Sequence, residues 1–164
     1  MSSMLKNCSR KGINLQKSIH PGAFEKVFAV LDRDEHTTYF DALTMAHSLS
    51  GRLRNDAKQP IDFQAIASVP CFELWPLLHY QEILAPICRD DLIRRLKKHI
   101  HDYEKGASGV FELTRPLLAI AAGQAKSLKQ RFTAHDAPQP FTGIVDLVDL
   151  LIGLARKPAQ EVPA

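Results

Sequence analysis

Apolar residues recur along this chain at spacings of three and four more often than at two. After Pro21, the residues Phe24, Val27, Phe28 and Leu31 form a short segment of that kind, ending in the polar run 32–36. Pro suits a first helical position because the N–H it lacks has no intrahelical partner there. The next helix is expected from Thr37 or Thr38 to about Arg54, with Ala42, Met45, Ala46, Leu49 and Leu53 on one face. A turn-rich break follows at 55–60. Asp62 then caps a brief helix with Phe63 and Ile66 inward.

Residues 69–88 are apolar almost all round, the mark of a central helix, punctuated by Pro70, Pro76 and Pro86. Asp90 caps a helix that runs to about Lys105 and stops at Gly106. Ser108 or Thr114 starts a long helix reaching about His135. Its middle is narrowed by Ala119, Ala121, Ala122, Gly123 and Ala125, which allows a neighbour to approach closely. Thr142 caps a last helix from Ile144 to about Arg156.

No stretch shows clean alternation bounded by hairpin turns. The expected fold is therefore all-α, a single-domain bundle of five or six helices over residues 21–157. Residues 1–20, with Lys6, Arg10, Lys11 and Lys17, read as a flexible basic arm, and 158–164 as a flexible tail. AHSLSGRL (46–53) and AKSLKQRF (125–132) echo each other at four positions. Two copies fall short of the three or more that repeat architectures use, and the echo is read as coincidence.

Composition changes this picture little. The 164 residues are long enough to bury a core, and 45% hydrophobic with 24% charged is ordinary for a globular chain. The 21 basic residues nearly offset 18 acidic ones, so the net charge of +3 permits an anionic partner without requiring one. Cys8, Cys71 and Cys88 form no CxxC and are odd in number, which argues against a zinc site or a disulfide framework. Cys71 and Cys88 are expected as buried thiols, with Cys8 in the tail. The first twenty residues have no apolar core of a secretory signal, and the stretch 144–155 is too short to span a bilayer. The expected location is the cytoplasm, without membrane contact.

Three chemistries compete for the stretch RRLKKHIHDYEK (94–105). On a helical wheel Leu92, Ile93, Leu96, Ile100 and Tyr103 fall within roughly 100° of each other. Arg94, Lys98, His101 and Lys105 cluster on the opposite side. An apolar rail and a basic rail back to back suit a solvated helix, or one that meets an anion. A nucleic acid is one candidate partner, although no helix-turn-helix, zinc finger or aromatic platform accompanies the charge.

The pair His101-Asp102, with His79 before it and Asp146 or Asp149 after it, could supply an HD-type metal-dependent phosphohydrolase. The wheel argues against that reading, since His101 lies on the wet rail and metal ligands must converge. No HExxH, GxSxG, GxxxxGK[ST] or GxGxxG occurs. No catalytic residue, metal or cofactor is implied. His79, beside Trp75 and Tyr80, reads as a hydrogen-bonded core imidazole.

The last helix carries more apolar surface than a peripheral helix needs. Leu147, Leu150, Leu151 and Leu154 are the residues expected to form an interface. The leading expectation is a non-enzymatic interaction or regulatory module that binds a protein partner or a second copy of itself. The basic rail would steer an acidic partner toward it.

Overall fold

The computed structural model describes residues 24–34, 37–132 and 140–156. The basic arm, Cys8 and the C-terminal tail lie outside the described residues. The chain divides into two compact units, Met1–Ala67 and Ser68–Ala164.

In the first unit, β1 (Lys26–Asp32) is followed by α1 (Tyr39–Leu49) and β2 (Asp62–Val69), which crosses the boundary into the second unit. Ala29 and Leu31 of β1 are buried while Val30 between them is exposed, the two-residue alternation of a strand. α1 turns Tyr39, Ala42 and Ala46 inward. Ala29, Leu31 and Ala42 form a small core, closed by Leu43, Met45, Phe63 and Ala65.

α1 stops where Gly51 takes a left-handed φ of +71°, a conformation that favours glycine. The Gly51 N–H donates to the Ile61 carbonyl at 2.9 Å, which brings the chain back toward β2. Asp62 then ties the unit together. Its carboxylate accepts from Lys26 Nζ at 2.6 Å, Gln64 Nε2 at 2.7 Å and Ser50 Oγ at 3.5 Å. The Lys26 bond holds this carboxyl below the usual range, helped by Gln64, the Lys26 charge and Ser50.

In the second unit, Ser68 and Val69 of β2 pair antiparallel with Thr142 and Phe141 of β3 (Phe141–Thr142). Strand order is β1-β2-β3 and the sheet is mixed, so β1 and β2 are the parallel pair. The bond from Asp62 N–H to the Glu25 carbonyl joins their starting ends. After a cis Val69–Pro70 peptide bond come α2 (Leu74–Leu77), α3 (Arg89–His99) and α4 (Val110–Thr114). A 3₁₀ turn (Arg115–Leu117), α5 (Leu118–Arg131), β3 and α6 (Ile144–Arg156) complete the order.

α2 packs on α3, α5 and β3, and α5 packs on β3 and α6. The small residues Ala121 and Ala125 are the fully buried positions that let α5 come close. Thr142 serves two elements at once. Its hydroxyl meets Ser68 Oγ at 3.0 Å, and it accepts from the Ile144 N–H at 3.3 Å at the start of α6.

The protein is thus mixed α/β, and the all-α expectation is overturned by the three-stranded sheet. The segment around Phe24–Leu31 is β1, and the brief helix expected after Asp62 is β2. In both strands apolar residues extend beyond the fully buried positions, Val30 of β1 being exposed and Phe63 and Ala65 of β2 half-buried. They spell continuous apolar runs, which match a helical period as readily as a strand.

Four helices also differ in extent, α1 ending at Leu49 rather than near Arg54. Within 69–88 only Leu74–Leu77 form an α-helix, since the prolines interrupt the ladder. Thr114 does not cap a helix forward. Its hydroxyl bonds back to the Val110 and Phe111 carbonyls, at 3.0 and 3.3 Å, and closes α4. α3 ends at His99 rather than Lys105, with Ile100 in extended backbone. Among the thiols, Cys71 is buried but Cys88 is exposed, because Cys88 sits at the cap of α3 outside the packed segment.

Candidate interaction surfaces

α3 begins with Asp90 and Asp91 and ends with Lys97, Lys98 and His99, matching acidic and basic groups to the two ends of the helix dipole. Leu92 and Leu96 are fully buried and anchor it against α2. Arg94, Arg95, Lys97, Lys98 and His99 are all exposed. Arg94 is bound to Asp91 one turn back. Arg95, Lys97 and Lys98 have no hydrogen-bond or ion-pair partner among the described residues.

Of the four expected rail residues, Arg94 and Lys98 stand on α3. His101 and Lys105 lie beyond its end, exposed on the following turns. Beyond this end the chain is held through Tyr103. Tyr103 is buried, and its hydroxyl donates to Oε1 of Glu73 at 3.3 Å. Glu73, at the start of α2, is itself buried, and its Oε2 has no partner. The sequence reading missed Glu73, because a lone Glu in an apolar run carries no sign of what it will meet.

Tyr80, on the chain after α2, stacks on His99 at 4.7 Å between ring centroids with the planes 5° apart. No aromatic platform was visible in the sequence, since the two residues are brought together only by the packing of α2 on α3. His79 is buried. Its Nδ1 is 3.0 Å from the Trp75 carbonyl, and a carbonyl only accepts, so Nδ1 carries the proton. Burial pushes its pKa below the ordinary value of 6.5, against the smaller opposite effect of backbone carbonyls at Trp75 and Pro76.

The residues of the metal-hydrolase reading are engaged separately. His79 is bonded within its own turn, His101 and Asp102 are exposed, and Asp146 is paired with Lys129. Among the described residues no group of three or more His, Cys, Asp or Glu is arranged to hold a metal ion.

α6 is the second surface. Only Ile144 and Val145, at its start, are buried. Leu147 and Leu150 are half-buried, while Leu151 and Leu154 are 55% and 53% exposed. Asp146 and Asp149 are drawn to α5 by Lys129 and Lys126, the latter pair at 2.7 Å. Those four leucines therefore form a strip without charge. Phe111 and Leu113 of α4 and Ile120 of α5 are also exposed, and the sequence reading did not single them out. Among the described residues no helix is long and apolar enough to cross a membrane.

These features define a mixed α/β protein with one uncompensated basic helix face and one uncovered apolar helix face. Residues 2–151 match the RloB-like protein family, and the chain belongs to it. No curated protein and no solved structure matches it.

Proposed function

We propose that this protein is a self-associating interaction module, in which α6 pairs with α6 of a second copy. The observation that carries the reading is the exposure of Leu151 and Leu154 on a helix whose charged side is already occupied. Burying a leucine side chain fully is worth about 1.5–3 kcal/mol, so the exposed Leu151 and Leu154, flanked by the half-buried Leu147 and Leu150, are a standing driving force for association.

The spacing suits a twofold partner. Leu147, Leu150, Leu151 and Leu154 lie within roughly 100° around the helix. They are also symmetric about the midpoint between Leu150 and Leu151. In an antiparallel pair Leu147 of one copy meets Leu154 of the other, and Leu150 meets Leu151. A self-complementary patch of this kind is what an isologous interface requires. No charge has to be desolvated, because Asp146 and Asp149 face α5.

Sedimentation equilibrium of the full chain tests the proposal. The wild type should approach a dimer as concentration rises, and Leu151→Asp with Leu154→Asp should remain monomeric with unchanged helix content. A wild type that stays monomeric up to several hundred micromolar would refute it.

A further inference from the structure

We infer that the exposed side of α3, together with the Tyr80–His99 stack, is a binding surface for single-stranded nucleic acid. The inference is independent of the α6 reading and rests on two observations.

The first is electrostatic. Elsewhere among the described residues, Lys26, Lys126, Lys129 and Arg131 sit within 4 Å of a carboxylate, while other cations, Arg52 and Arg156 among them, have none. On α3 Arg94 is bound to Asp91, whereas Arg95, Lys97 and Lys98 have no partner among the described residues. Arg94 and Lys98 are four residues apart, as are Arg95 and His99. Arg94 and Lys97, and Arg95 and Lys98, are three apart. Like charges at these spacings repel and weaken a helix. The helix dipole favours cations in the last turn, which explains a lysine there but not Arg95, Lys97 and Lys98 together. Arg95, Lys97 and Lys98 remain uncompensated, a local cost in stability that a row of phosphates would remove.

The second is the ring pair. Tyr80 stacks on the His99 imidazole with ring centroids 4.7 Å apart and planes nearly parallel. His99 is nevertheless exposed as a residue. A flat ring of this kind, at the end of a basic face, is what an unpaired base stacks on. The bases of a duplex keep their faces buried in their own stack, so a ring platform selects single strands. Phosphates would lie along Arg95, Lys97 and Lys98, with one base on His99.

Fluorescence anisotropy with a labelled oligothymidylate tests this on the full chain, with a duplex of matched length and inorganic polyphosphate as competitors. We expect the single strand to bind, with log K falling against log salt at a slope of about −2 for three phosphate contacts. Lys97→Glu with Lys98→Glu should abolish binding while leaving the circular dichroism spectrum unchanged. His99→Ala should weaken single-strand binding about 5- to 150-fold, the range for one stacked base, and His99→Phe should restore it. No binding at low salt overturns the inference. So does binding in which duplex or polyphosphate competes equally and His99→Ala has no effect, since that describes a generic polyanion surface.

Discussion

α3 and α6 are helices of similar length, 11 and 13 residues, and both are sharply two-sided. They differ in what happens to their apolar sides. α3 lays Leu92 and Leu96 against α2 and turns charge to the water. α6 buries only its first two residues and leaves Leu151 and Leu154 largely exposed. The same pattern of residues thus anchors one helix and leaves the other with surface to spare. Amphipathicity tells which side of a helix is apolar, but not whether the rest of the chain supplies something to cover it.

The contrast breaks most visibly on a single carboxylate. Leu96→Asp places an unpaired charge where no water reaches, and should cost more than about 4 kcal/mol or prevent folding. Leu151→Asp should leave monomer stability within about 0.5 kcal/mol, as surface substitutions do. Urea denaturation followed by circular dichroism, at low protein concentration, separates the two. Equal losses for both would show that α6 is covered after all.

A smaller effect is expected where α3 gives way to the segment that follows it. Tyr103→Phe removes the one hydrogen bond given to the buried Glu73 carboxylate, and its Oε2 is already unpaired. The loss should be about 1–3 kcal/mol. Glu73→Leu combined with Tyr103→Phe should recover part of it, because both polar partners are then absent. No recovery would mean that Glu73 serves another purpose.

The smallest effect concerns His79, next to α2 and thus to the footing of α3. Its pKa is lowered in the folded protein, so between that value and 6.5 the unfolded chain binds a proton that the folded chain does not. Stability is complete above about 6.5 and falls as the pH drops through that window, levelling off below the folded pKa. Thermal midpoints measured from pH 7 to 5 should decline in the wild type and decline less in His79→Gln. Identical slopes would remove His79 as a source of acid sensitivity.

Much of the second unit was legible in order of residues alone. The apolar rail of α3 and the surplus apolar surface of α6 follow from side-chain spacing within one segment; of the small residues of α5, Ala121 and Ala125 are buried as expected, while Ala119 and Gly123 are exposed. The basic surface was legible in part. Arg94 and Lys98 sit on α3 as expected, while His101 and Lys105 fall past its end. Tyr80 could not be assigned to that surface, since its stacking on His99 joins residues 19 positions apart in the chain. In the first unit the helix at Tyr39–Leu49 was legible but the strands were misread, because Val27–Leu31 and the mostly apolar Ala65–Val69 are compatible with either period.

By itself, then, the order of residues determined which helices are two-sided and where their charge lies. Those properties depend on neighbours three and four positions away, within reach of one helical turn. Only the tertiary structure decided that Lys26–Asp32 and Asp62–Val69 are strands, that α3 stops at His99, and that Leu151 and Leu154 of α6 are exposed. A strand takes its hydrogen bonds from a segment far along the chain, and burial depends on what arrives to cover a face. Neither partner is written in the segment that needs it.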